Sequence, residues 1–356
     1  MTRPLLAALA GVLALAGCAD PEPAADPPAP SSAPPASSAS PSAPTAVEPE
    51  PALLAWEPTR RPVEETVITG GGWTITVDEE RSLATVEGPT PLTISGDKRF
   101  RISDVLLDTS YAVVVTSDSL EEKPAVATVI DLATGRRTRL DGRSDVPTTN
   151  GGTWALHGTR LVHATVDGGA YCLAERDLAA GTAAVSWCAE ERQGFNNAQV
   201  TPAGVTVLAF DDQRPSCRTL GSVVDEVFEP LADVTECQGW QGATTDAGTV
   251  WSVVPNDNNL DAAVVRAWTA DGVVELGPAT AGTLTWCAGA TYFVRDPQAP
   301  GEPARLLRWT DAGTFEIVYQ SRGGQAFLTG PRCGGDRITI SAFAESGDEQ
   351  VSAPLG

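Results

Sequence analysis

The feature that most constrains this chain is a long period. Seven apolar, β-favouring runs recur along it: Trp73–Val77, Ala112–Thr116, Arg160–Thr165, Val205–Phe210, Thr249–Val254, Ala290–Val294 and Arg337–Phe343. Their centres lie roughly 39–48 residues apart, the length of a four-stranded propeller blade. Between them stand clusters of Gly, Pro, Asp and Asn, and no helical period is sustained. Short strands at regular spacing call for an all-β sandwich, barrel or propeller. The period selects the propeller, with each run as the second strand of its blade.

A second marker supports the same division. Ile130-Asp131-Leu132-Ala133-Thr134-Gly135 matches Arg176-Asp177-Leu178-Ala179-Ala180-Gly181, and Ala267-Trp268-Thr269-Ala270-Asp271-Gly272 matches Arg308-Trp309-Thr310-Asp311-Ala312-Gly313. Each sits late in its unit, where a glycine at positive φ closes a tight hairpin. On these residues the chain from about 60 to 356 resembles the TolB-like and PQQ-type β-propellers, whose outer hairpins often read D-x-x-T-G. WD40-like propellers share the repeat length. The resemblance implies architecture rather than activity. Trp187 alone follows its hairpin as in PQQ-type blades, so quinone binding is not implied.

Seven blades are expected, with six as the alternative. The first, at about 63–96, is short, and the last, at about 325–356, has room for three strands. Ala52–Trp56 is expected to supply the missing strand and close the ring.

The N-terminus has its own logic. Arg3 precedes an apolar stretch, Leu5–Leu15, too short to span a ~30 Å hydrocarbon core. It reads as a cleaved signal peptide, residues 1–17. Leu15-Ala16-Gly17-Cys18 resembles a lipobox, the bacterial lipoprotein signal. The resemblance implies that Cys18 carries a thioether-linked diacylglycerol, with acyl chains of the palmitate kind, and becomes the mature N-terminus. Each buried CH₂ adds roughly 0.8 kcal/mol, so two or three chains anchor a protein firmly. Residues 19–51 hold 11 prolines and no aromatic or basic residue. Such a segment cannot bury enough surface to order itself. The lipidated Cys18 and a disordered linker therefore span 18–58, and the propeller 59–356. The bias of 22 arginines to 2 lysines suggests, by association, a GC-rich actinobacterial genome.

Six cysteines remain, an even number in an exported domain, which implies disulfides. Spacing within the repeat pairs Cys172 with Cys188 and Cys217 with Cys237, as one cross-strand clip in adjacent blades. Cys287 and Cys333, one blade length apart, are expected to join neighbouring blades near their inner strands.

Little else points to chemistry. The chain has 2 histidines, 46 acidic and 24 basic residues. A net charge of −22 argues against nucleic acid, which needs clustered Lys and Arg. Ser95-Gly96-Asp97-Lys98 fits S-x-x-K but lacks a K-T-G partner, and no G-x-S-x-G occurs. His163 lies on an alternating strand and reads as structural. His157, before Gly158, reads as solvated. Thr244–Trp251 resembles the Asp box of sialidase-type propellers, a structural turn. Asp257, Asn259 and Asp261 have D-x-N-x-D spacing, a weak Ca²⁺ pattern without the EF-hand glycine. No cofactor is otherwise expected. Trp268 and Trp309 match in blade position, which suggests packing between blades rather than a sugar platform.

The expectation is a lipid-anchored β-propeller on the outer face of the cell membrane, acting as a binding or assembly module of the cell envelope. The alternative is an envelope hydrolase or lyase acting on a wall polymer or glycan, although no residues mark out a catalytic centre. Residues 59–356 carry 40 acidic and 23 basic side chains. That balance favours a basic envelope protein or a divalent cation as partner and disfavours anionic polymers.

Overall fold

The second-strand runs are apolar on both sides because both sides are covered. Ala112, Val113, Val114 and Val115 are each fully buried. Val113 and Val115 face one neighbouring blade, Ala112 and Val114 the other. A strand between two sheets reads as a continuous hydrophobic run. The computed structural model describes residues 45–255, 259–322 and 326–356. The lipobox residues Leu15, Ala16, Gly17 and Cys18 and most of the expected linker lie outside them.

Seven sheets follow one another along the chain, each built on four antiparallel strands; the sheets of blades 5, 6 and 7 also take in strands of the N-terminal segment. Blade 1 covers 66–95, blade 2 100–140, blade 3 154–188 and blade 4 193–230. Blade 5 covers 239–278, blade 6 285–320 and blade 7 326–354. Every one of the seven runs is the second strand of its blade. All four matched hairpins join a third strand to an outer strand, and Gly135 takes φ 71° there. The single helical turn among the described residues is a 3₁₀ turn, Leu260–Ala262.

Ring closure differs in detail from the expectation. The fourth strand of blade 7 is Glu57–Pro58, paired antiparallel with Glu349–Pro354. The segment Ala52–Trp56 lies instead on blade 6. There Ala52 N–H donates to Ile317 O (2.9 Å), Leu54 N–H to Val318 O (3.1 Å) and Trp56 Nε1 to Val318 O (2.8 Å). Upstream, Glu50–Pro51 runs parallel to the outer strand of blade 6 and Thr45–Ala46 parallel to that of blade 5. The outer strands of both blades have a free edge, and the N-terminal segment from 45 to 58 covers it. Part of the span expected as linker is thus a belt across three blades.

Six of the seven blade interfaces hold an apolar cluster among the described residues. That between blades 6 and 7 includes Tyr292, Leu306, Ile338 and Ile340. The seam between blades 7 and 1 is built differently. Thr339, Ser341, Gln350 and Ser352 are buried there on blade 7. Thr69 Oγ1 meets Ser352 Oγ at 2.7 Å, and Gln350 Nε2 donates to Glu65 O at 2.8 Å. The backbones nearly touch: a Cβ on Gly70 would stand 1.7 Å from Gly334 O, and one on Gly334 2.0 Å from Thr69 O. Only glycine fits at either position.

Three disulfides staple the ring. Cys172–Cys188 crosses the outer two strands of blade 3, where the two residues are directly opposite. Cys217–Cys237 is a different clip, running from the start of a third strand to the linker before blade 5. Cys287–Cys333 joins the inner strands of blades 6 and 7. The two matched tryptophans diverge: Trp309 is buried beside Phe315, whereas Trp268 is 44% exposed.

Candidate functional site

The innermost strands leave a cavity of about 620 Å³ along the ring axis. It is bordered by the inner strands of every blade but the fifth. A volume of this size suits a small organic ligand. Its wall is part apolar, with Val105, Leu106, Leu156 and Leu355, and part charged.

The charged groups come from separate blades. His157 ends the inner strand of blade 3, and Asp108 follows that of blade 2. His157 Nδ1 stands 3.6 Å from Asp108 Oδ2, just beyond a direct hydrogen bond. The imidazole also meets the Trp286 ring edge to face at 4.9 Å. Burial pushes the Asp108 carboxyl up. His157 and the N–H groups of Gly158 and Thr109 outweigh that, so its pKa falls to about 2. Asp108 is therefore a fixed negative charge that holds the blade 2 and blade 3 turns together. The solvated His157 expected from sequence is in fact a half-buried channel residue.

The lining also holds Arg81, Asp104 and Arg332. A register shift between Ile102 and Asp104 makes a bulge in the inner strand of blade 2. Such a bulge re-aims the side chains that follow it. Arg81 Nε donates to Ile102 O at 2.6 Å, and its Nη2 donates to Ser103 O. Burial pushes the Asp104 carboxyl up, despite the Ser103 hydroxyl and the charge of Arg81. Burial and the charge of Arg81 together lower the pKa of the Arg332 guanidinium.

The other sequence candidates fall elsewhere. His163 is fully buried, stacked on Trp154 at 4.9 Å, with Nε2 accepting from Arg176 Nε at 3.1 Å. Burial lowers its pKa to about 4, so it is neutral and structural. The Asp-box-like stretch forms the inner hairpin of blade 5, and the Thr244 hydroxyl bonds Thr206 and Ser222 of blade 4. Asp257 lies outside the described residues, while Asn259, just before the 3₁₀ turn, and Asp261, within it, are exposed. Cys217, Glu236 and Cys237 lie close enough to share an ion, but both sulfurs are locked in a disulfide and offer no thiolate.

Periodicity misses the channel residues because they meet across blades. Arg332 and Asp108 sit beside hairpins with no motif, and a bulge does not register in an alternation count.

Among the described residues no helix is long and apolar enough to cross a membrane. The disulfides indicate an oxidising, extracytoplasmic compartment. No family model matches this chain, and no curated protein matches it. Solved structures do. The β-propeller domain of the Trilobed protease from Pyrococcus furiosus, described as having an open velcro topology, is similar with TM-score 0.53 at 10% identity, over 82% of this chain and 98% of that one. TolB from Acinetobacter baumannii gives TM-score 0.40 at 9% identity, over 82% of this chain and 78% of that one. Prolyl oligopeptidase B from Galerina marginata gives 0.47 at 9%, with this chain spanning 51% of that protein. The likeness is one of fold: the propeller domain of the Trilobed protease shares the β-propeller architecture of this chain.

Proposed function

We propose that this protein is a lipid-anchored binding module of the cell envelope, with the axial channel as its ligand site. The observation that carries the reading is the channel itself: a cavity of about 620 Å³ inside a ring stapled by three disulfides, walled by apolar side chains and by charged groups from different blades. A rigid scaffold that converges loops on one cavity holds a ligand at little conformational cost. The enzyme alternative finds less support. Asp108 stands 3.6 Å from His157, where an orienting carboxylate would, yet among the described residues no hydroxyl or thiol hydrogen-bonds His157.

Anchoring through Cys18 rests on the lipobox resemblance, and the proline-rich segment after it serves as the tether. The loops between second and third strands share one end of the ring and are acid-rich, as in Asp211-Asp212 and Glu345–Glu349. That end suits a basic envelope protein or a divalent cation, Ca²⁺ included. Fractionation of cells expressing the intact chain or Cys18→Ser tests the anchor, the variant moving to the medium. Pull-down of envelope extract with the intact chain tests the module. A chain that retains nothing, while cleaving a wall polymer, overturns the binding reading.

A further inference from the structure

Cavity charges normally pair, because an unpaired charge removed from water is costly. Asp108 is satisfied by N–H donors and His157, and Asp336 accepts from Gly71 N–H at 2.8 Å. Arg332 is not satisfied. Its guanidinium borders the cavity, half-buried, and among the described residues it forms no hydrogen bond or ion pair. Arg81 stands near enough for the two positive charges to oppose each other, and its own hydrogen bonds go to backbone carbonyls rather than to a carboxylate. Asp104 also lines the cavity, where burial pushes its carboxyl up, and among the described residues it makes no ion pair with either arginine. Two like charges in one partly apolar cavity, neither within ion-pair distance of a carboxylate among the described residues, leave a place for an anionic group.

We infer that the channel binds a small organic monocarboxylate, its carboxylate against Arg332 and Arg81 and its apolar body against Val105, Leu106 and Leu156. A guanidinium matches a carboxylate with two parallel N–H donors, which a point charge cannot do. The rest of the chain sets the ligand's charge and size. Asp108 and Asp336 add negative charge to the same lining, and the chain as a whole carries −22. One negative charge is accommodated locally, whereas a dianion or an anionic polymer meets the field of the whole molecule. The apolar wall distinguishes the ligand from an inorganic anion. The inference deepens the binding-module reading by naming the ligand class of the same channel, and it rests on that reading.

The test is isothermal titration of the intact chain in detergent with octanoate and phenylacetate. Octanamide and phenylacetamide serve as neutral matches, and inorganic phosphate as an anion without an apolar body. The expected result is saturable binding of a carboxylate, at least tenfold tighter than its amide. Arg332→Gln should weaken it at least tenfold with unfolding temperature unchanged. Asp104→Asn should retain or tighten it, because it removes an acidic group from the lining, and so guards against a misfolded Arg332 variant. Equal binding of acid and amide, binding of phosphate alone, no binding of either acid, or an Arg332→Gln chain that is folded and binds normally each overturns the inference. If the titration fails while the envelope pull-down succeeds, the binding-module reading stands and only the ligand class falls.

Discussion

Blade 7 meets its two neighbours in opposite ways. Toward blade 6 it presents Ile338, Ile340, Ala342, Val351 and Ala353, and a disulfide crosses the joint. Toward blade 1 the alternate residues Thr339, Ser341, Gln350 and Ser352 form a hydroxyl and amide network against Thr69 and Glu65. The first interface is non-directional and tolerant: apolar groups of the right volume satisfy it. The second is directional, because each buried polar group needs its own partner. It works only while Gly70 and Gly334 let the backbones touch. A ring built from one chain must be closed somewhere, and here the closing joint gains little from hydrophobic burial. Two covalent or chain-level devices compensate: the belt from 45 to 58, and the Cys287–Cys333 link beside the joint.

Cutting the belt is the severest way to break this contrast. A chain starting at 59 loses the outer strand of blade 7 and the Trp56–Tyr319 contact at 5.3 Å. At ~1 kcal/mol per hydrogen bond, plus the buried indole, the loss should reach roughly 5 kcal/mol or more against a chain starting at 45. Calorimetry of the two chains decides it, and equal unfolding temperatures would show the belt to be ornamental. Next comes Cys287→Ala with Cys333→Ala, which opens a 46-residue loop. The entropic estimate for a loop of that size is roughly 4 kcal/mol, read from urea midpoints.

Acid should act away from the seam. His163 sits in the interface of blades 2 and 3, with Arg176 and Asp145 beside it. Its folded pKa of about 4 lies below the ordinary imidazole value of 6.5. The unfolded chain therefore takes up the proton first as pH falls, and stability declines from about pH 6.5 to about pH 4. The upper bound is ~3 kcal/mol, at ~1.4 per unit. His163→Gln should flatten that decline in denaturant titrations at successive pH values. Asp108, with a folded pKa of about 2, contributes stability that is lost only at lower pH, beneath 3.8.

The glycines sharpen the comparison by size of clash. Gly70→Ala drives a methyl into a backbone carbonyl and should cost about 3 kcal/mol, whereas Gly242→Ala meets Leu220 Cδ2, at 2.6 Å, which can rotate away. The smallest effect is expected from Ser352→Ala, about 1 kcal/mol, against about 3 for Leu306→Ala in the apolar joint. If the serine costs as much as the leucine, the seam is not the weaker joint.

The sequence made the blades legible because a second strand is buried on both faces and stays apolar whatever its neighbours do. The hairpin glycines then placed the outer strands. Closure was legible only to within a few residues: Ala52–Trp56 has the composition of a strand, but Glu57–Pro58 is the pair that reaches Val351 and Ser352. A two-residue ladder has no periodicity to read. The parallel pairs at Thr45–Ala46 and Glu50–Pro51 lie in a stretch whose prolines argue for a disordered linker. They form because edge strands elsewhere in the chain offer free backbone groups. Within the channel, Asp104 is aimed by a bulge and His157 gains its meaning from Asp108, a blade away.

The belt also sets a timetable. The ladder partners of Thr45, Glu50 and Glu57 are Val274, Glu316 and Ser352, so the earliest described residues must wait for the latest ones to be made. Contacts this distant along the chain form slowly, because their loop-closure entropy is lost before they stabilise anything. Six interfaces can assemble between sequential neighbours while synthesis proceeds; the seventh cannot begin until the C-terminus is present. Until then blade 7 lacks a strand and blades 5 and 6 expose edges that invite pairing with other chains. The window of vulnerability for this protein is therefore the interval between completion of its last blade and the return of its N-terminal segment.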